Sequence, residues 1–184
     1  MAIAIDPALR LQHALDLAYR YLGHRDRTVF EVRRHLEAKR VEPETVDEAV
    51  AELGEQGYLD DARYAQRFVE DRRRLDGWGS ARIERKLLGA GVDRALVAAA
   101  LAGPGGGAAL AGTDGALGTA GGPRGPGGEE PHDELAAAIA VLRRRFRVPP
   151  ETDRDRDRAL GVLVRKGYEL ELAYDAIRAF GRDG

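Results

Sequence analysis

The chain has 184 residues, enough for one ordinary domain or a few small helical modules. Its formal net charge of −2 excludes a globally basic nucleic-acid binder, and the absence of Cys excludes disulfides, thiolate chemistry and Cys-based zinc sites. No stretch of ~18 apolar residues exists and Met1 to Arg10 lacks a secretory signal pattern, so no membrane partner is expected and a cytoplasmic location is.

The elements read as helices, because apolar residues recur at three and four rather than alternating. Leu11, Leu15, Ala18 and Leu22 form the first stripe, ended by Gly23. Val29, Val32 and Leu36 form the second, with Thr28 and Glu31 spaced as a capping box. Pro43 suits the first turn of a third helix carrying Val46, Val50 and Leu53, which stops near Gly57. Asp60 or Asp61 can cap a fourth, through Tyr64, Phe68 and Leu75, broken by Asp76, Gly77, Trp78 and Gly79. Ser80 is expected to cap a fifth helix, through Ile83 and Leu87 to Gly91, and Asp93 a sixth, through Leu96, Val97 and Leu101. Residues 103–131 are mostly Gly, Ala and Pro with few large apolar side chains, and predict a flexible linker. Three helices follow: one on Leu135, Ile139, Leu142 and Phe146, ended by Pro149 and Pro150; one on Ala159, Leu160 and Leu163 to Gly167; and one on Leu170, Ala173, Ile177 and Phe180.

These nine helices read as three copies of one unit. Leu36 is followed at +5, +10 and +14 by Val41, Val46 and Val50. Leu87 is followed at the same offsets by Val92, Val97 and Leu101, and Leu163 by Tyr168, Ala173 and Ile177. At +4 stand Arg40, Gly91 and Gly167. The first two leucines are 51 residues apart and the last two 76, or 48 once the 28 residues from Pro104 to Pro131 are set aside. The expected fold class is all-α, built of tandem three-helix repeats. The expected organisation is a first repeat over 1–57, a second over 58–102, the linker over 103–131 and a third repeat over 132–184.

No catalytic set emerges. Ser80, the only Ser, sits in a capping context with no His near it in sequence. His13, His24, His35 and His132 form no i, i+4 metal pair and read as surface residues. Asp60 and Asp61 read as a helix N-terminus rather than a metal site, because free backbone N–H groups favour negative charge there. Gly103 to Gly107 lacks the following Gly-Lys-Ser/Thr and the preceding strand of a phosphate loop. The chain is expected to be no enzyme, with no cofactor and no metal.

A binding surface would be local and cationic. Arg33 and Arg34, Arg72 to Arg74, Arg82, Arg85 and Lys86, Arg144, and Arg165 and Lys166 recur in or near corresponding helices, and form the candidate contact set. Interleaved Asp and Glu make a solvated face the competing account. Trp78, between Gly77 and Gly79, is expected to plug the core between units.

The stretch Gly57, Tyr58, Leu59, Asp60, Asp61, Ala62, Arg63, Tyr64, Ala65, then Arg72 to Arg74, Gly77 to Gly79, Arg82, Ile83, and Leu87 through Val92, resembles the central repeat of the RecX family of regulatory proteins. Ala14 to Leu53 resembles that family's N-terminal repeat. Arg143 to Phe146 with Leu163 to Tyr168 resembles its C-terminal repeat. The resemblance covers the chain apart from the first few residues and the linker. It implies an elongated, curved array of repeats. It also implies a negative regulator that binds the RecA filament on single-stranded DNA, in the filament groove, and inhibits its growth, ATP hydrolysis and strand exchange. That role places the chain in recombinational repair and the SOS response, as a monomer with at most weak direct DNA binding. The long linker departs from the family pattern, and a tethered third repeat gaining affinity by effective concentration is expected from it. Reversing charge at Arg72, Arg73 and Arg74 together is expected to weaken inhibition with the fold intact. The competing class is a helical DNA-binding or transcription regulator acting on nucleic acid directly. An inert scaffold for another protein is a third.

Overall fold

The computed structural model describes residues 6–23, 25–103 and 133–182. Among them are α1 (Pro7–Leu22), α2 (Val29–Ala38), α3 (Pro43–Glu55), α4 (Asp61–Asp71), a π-helical turn (Arg72–Asp76), α5 (Ser80–Gly89), α6 (Arg94–Ala102), α7 (Glu134–Arg145), α8 (Asp153–Lys166) and α9 (Leu170–Arg182), with no strand. The fold class is all-α, as the apolar spacing predicts. The linker expected over 103–131 lies outside the described residues except for Gly103.

Two compact units form. One takes the described chain as far as Phe68 together with Arg85–Val97, and the other takes Val69–Glu84 with the described residues from Ala98 onward. In the first unit, Ala14, Leu15 and Ala18 of α1 meet Val32 and Leu36 of α2 and Val46, Ala49 and Leu53 of α3. The i, i+3, i+4 spacing puts these on one stripe of each helix, and the alanines let the helices approach closely. In the second unit, Ala138, Val141 and Leu142 of α7 pack with Ala159 and Leu163 of α8, Tyr168, and Ala173, Ala176, Ile177 and Phe180 of α9. Burying each large apolar side chain contributes about 1.5–3 kcal/mol.

The middle helices α2, α5 and α8 end in the same way. Arg40, Gly91 and Gly167 have φ of 63°, 80° and 90°, and Arg40 is alone among the described non-glycine residues in having positive φ. In each case the next amide reaches back to the leucine of matching register: Val41 N–H to Leu36 O at 3.2 Å, Val92 N–H to Leu87 O at 3.1 Å, and Tyr168 N–H to Leu163 O at 3.1 Å. This left-handed closure satisfies carbonyls that a helix end otherwise leaves without partners.

Each unit contains one joint between successive modules, and the two joints share a design. In the first unit the N-terminus of α2 meets the C-terminus of α5. Thr28 caps α2 by accepting from Glu31 N–H at 3.2 Å, and its hydroxyl donates to Ala90 O at 2.6 Å. Val29 N–H donates to Asp61, the first residue of α4, at 3.0 Å. In the second unit the N-terminus of α5 meets the C-terminus of α8. Gly79 N–H donates to Lys166 O at 2.9 Å, and Ser80 N–H donates to Glu134, the first residue of α7, at 2.7 Å. Thr28 and Gly79 hold the same register, as do Ala90 and Lys166. Both joints thus bring a negative helix end and a carboxylate to a positive helix start.

Two capping assignments change accordingly. Gly79, not Ser80, is the residue before α5, since Arg82 and Ile83 N–H bond its carbonyl. Asp60 alone caps α4, accepting from Arg63 N–H at 2.8 Å, because Asp61 is drawn to α2. Thr28→Ala removes both a cap and a joint hydrogen bond from a buried position, and is expected to cost about 2 kcal/mol by urea unfolding. Thr28→Ser keeps the hydroxyl and is expected to lose less than half of that.

Candidate partner-binding surface

The cationic residues singled out in the sequence divide between the two units. The first unit holds Arg33, Arg34, Arg85 and Lys86. Arg33 pairs with Asp47 at 2.5 Å, and Arg34 is exposed with its guanidinium 5.7 Å from the Phe30 ring. Arg85 and Lys86 are exposed on the last turns of α5.

The second unit holds the rest, and the π-helical turn sorts them. Gly77, at φ 58°, closes the turn: its amide bonds Arg73 O at 3.2 Å, and Trp78 N–H bonds Arg72 O at 3.1 Å. Such wide turns often sit at functional positions. Arg73 is directed inward. It donates to Leu101 O at 2.9 Å and Ser80 Oγ at 3.4 Å, and its Nε is buried with no hydrogen-bond partner. Burial holds its pKa below the usual guanidinium value, with Glu134 and Tyr168 opposing that shift. Arg72 pairs with Asp76 at 2.6 Å, and Arg74 stays exposed beside Asp71 at 3.6 Å.

Trp78 is half-buried rather than a core plug. Its ring takes the Arg82 guanidinium at 4.0 Å and that of Arg72 at 5.4 Å, an arrangement favoured by the quadrupole of the indole face. Arg82 also donates to Arg165 O at 2.8 Å, and Lys166 Nζ donates to Asp76 O. Arg73, Arg82 and Lys166 therefore hold the joint, while Arg74, Arg144 and Arg165 present exposed side chains. Charge reversal across Arg72 to Arg74 would not spare the fold, because Arg73 is part of it. These same bonds dock α7 to α9 on the π turn and α5, so the third module is more than tethered.

Other groups depart from expectation. His35 is not a plain surface residue: its ring stacks on Tyr21 at 4.0 Å, and burial, Lys39 and Arg27 lower its pKa. His13 is exposed, and His24 and His132 lie outside the described residues. Burial raises the pKa of Asp61, opposed by the Val29 amide and reinforced by Asp60 and Glu31. Among the described residues no group of three His, Asp or Glu is placed to hold a metal, and no helix is long and apolar enough to cross a membrane.

Tyr168 lies buried in the same joint, its hydroxyl donating to Gly77 O at 3.3 Å. Burial, with Glu134 reinforcing and Arg73 opposing, pushes its phenol up to about 12 from the ordinary 10.0. An acid whose folded pKa is raised stabilises the fold below its unfolded pKa and loses that contribution as pH rises through the folded one. The stability advantage of the native chain over Tyr168→Phe is therefore expected to shrink between pH 10.0 and about 12, by on the order of 2 kcal/mol in urea titrations.

Sequence reasoning passed over Arg154 and Arg158, which line a groove on α8 with Arg145 and Arg165. Their spacing from Arg165, at eleven and seven residues, is the signal that marks one helical face.

The model of the first three-helix domain of RecX matches residues 14–53, and that of the second matches residues 60–101. A regulatory protein RecX of Mycolicibacterium smegmatis is 29% identical over 95% of this chain and 82% of its own length. Residues 14–101 thus carry two successive RecX three-helix domains.

Another RecX relative, from Lactobacillus delbrueckii subsp. bulgaricus, is 42% identical over 48% of this chain. The match spans only 33% of that relative's length. A RecX of Pseudomonas fluorescens is 35% identical over 55% of this chain and 63% of its own. In fold, the crystal structure of RecX from Lactobacillus salivarius matches with a TM-score of 0.69 at 16% identity, covering 94% of this chain and 97% of that one. The RecX relatives bear the name of regulatory proteins.

Proposed function

We propose that this chain is a RecX-family protein and a non-catalytic negative regulator of recombinational repair. It binds the RecA filament on single-stranded DNA and inhibits its ATPase, growth and strand exchange. It acts in the cytoplasm as a monomer, with neither metal nor cofactor. The observation that carries this reading is the match to two successive RecX three-helix domains over residues 14–53 and 60–101. Inhibition needs no chemistry of its own: a ligand that prefers one filament geometry shifts the population toward it, and a geometry poor in ATP turnover is an inhibited one.

The exposed cations Arg34, Arg74, Arg85, Lys86, Arg144 and Arg165 are the proposed filament contacts, since their side chains are not committed to the joints. Arg33 and Arg72, held in ion pairs at 2.5 Å and 2.6 Å, are secondary, whereas Arg74 is more exposed and lies 3.6 Å from Asp71.

The test is ATP hydrolysis by preformed RecA filaments on single-stranded DNA at two salt concentrations, with this chain added well below one copy per protomer. Hydrolysis is expected to fall at substoichiometric amounts. Unaltered hydrolysis at saturation, together with salt-sensitive binding to DNA alone, would sink the filament reading and favour a direct nucleic-acid binder.

A further inference from the structure

The outer face of α8 carries a groove that the joints do not use. It encloses about 620 Å3, within the range of ligand sites, and opens to solvent beside the end of α7. Four guanidiniums line it: Arg154, Arg158 and Arg165 from α8 and Arg145 from α7. Asp155 is engaged, accepting from the Thr152 hydroxyl at 2.7 Å and lying 3.9 Å from Arg158. Arg145, Arg154 and Arg165 make no ion pair among the described residues.

Gly161 lies in the floor. A glycine inside a helix costs about 1 kcal/mol relative to alanine, so its position there asks for a reason. The added Cβ of an alanine would come within 3.2 Å of Arg165 Nη1. The missing methyl is thus the space over which the Arg165 guanidinium folds into the groove. With Arg154 about three turns away on the same face of α8, it offers forked donors matched to planar carboxylates.

We propose that this groove binds a short acidic polypeptide segment through its Asp or Glu carboxylates, with Arg154 and Arg165 as the principal contacts. A protein ligand fits better than a nucleic-acid strand. Asp155 and Asp157 line the same groove, and they oppose a backbone with a charge on every nucleotide but tolerate carboxylates at intervals. Phe146 is the single aromatic in the lining and is half-buried, which gives no series of stacking platforms.

The full chain is titrated against a fluorescein-labelled peptide of alternating Glu and Gly, and against labelled oligo-deoxythymidine of equal net charge, by fluorescence anisotropy. No filament is needed, so the result is independent of the RecA reading. The peptide is expected to bind, and Arg154→Ala and Arg165→Ala are each expected to weaken it about tenfold without altering the circular dichroism. Gly161→Ala is expected to raise the thermal midpoint by about 2–4 °C while weakening the peptide, a combination that mere loss of folding does not produce. Absence of peptide binding, oligonucleotide binding as tight as that of the peptide, or full peptide affinity in Gly161→Ala would each overturn the proposal.

Discussion

Gly167→Ala is expected to destabilise the second unit by about 3 kcal/mol, combining left-handed strain of about 1–2 kcal/mol with an overpacking cost of about 1–3 kcal/mol. At φ 90° and ψ 24° the residue lies where a side chain is strained whatever room it has. Room is also lacking: the new Cβ would sit 2.2 Å from Arg82 Cβ and 2.7 Å from Arg82 N. Arg82 is fixed in α5 and cannot retreat without breaking the Gly79 N–H bond to Lys166 O. Gly57 is the control, with φ 75° but nothing within 4 Å of its added Cβ. Gly57→Ala should show the strain alone, about 1 kcal/mol. Urea midpoints measure both, and equal losses in the two variants would mean that the close approach of α8 to α5 contributes nothing.

Arg73→Glu is expected to cost about 3–5 kcal/mol, against less than about 0.5 kcal/mol for Arg74→Glu one residue away. The reversal places a carboxylate among Ser80, Glu134 and the Tyr168 hydroxyl, and leaves Leu101 O without its donor. Arg73→Met keeps the stem and drops the charge, and should fall between the two. Thermal unfolding followed at 222 nm resolves differences of this size. Indistinguishable midpoints for Arg73→Glu and Arg74→Glu would show that Arg73 is not part of the folded joint.

The helices and their register were legible because apolar periodicity reports buried faces. Leu36, Leu87 and Leu163 are all fully buried, and the positions four beyond them all take positive φ. Periodicity is silent on polar partners across modules. Nothing in the sequence distinguishes Asp60, which caps its own helix, from Asp61, which bonds Val29. Glu134 looks like any first-turn acid until Ser80 N–H is seen against it. The π turn was hidden for a different reason: Asp76 and Gly77 read as the end of a helix, which conceals the widened turn that directs Arg73 inward. In the candidate surface, an Arg run marks a cationic neighbourhood but not which members are spent on backbone carbonyls, as Arg82 and Lys166 are. Arg154 and Arg158 were obscured by the alternating Asp and Arg of residues 153–158, whose groove exists only once α7 lies beside α8.

Deletion series are the ordinary way to assign a binding partner to one module of a repeat protein, and the joint between α5 and α8 makes them misleading for this chain. A fragment ending at Gly103 would strip the Ser80 amide of Glu134 and the Gly79 amide of Lys166 O. It would also take Tyr168 from Gly77 and leave Asp76 without Lys166. Loss of binding by such a fragment would record a frayed α5 as readily as a missing contact. Point replacements at outward-facing arginines, in the uncut chain, separate the two.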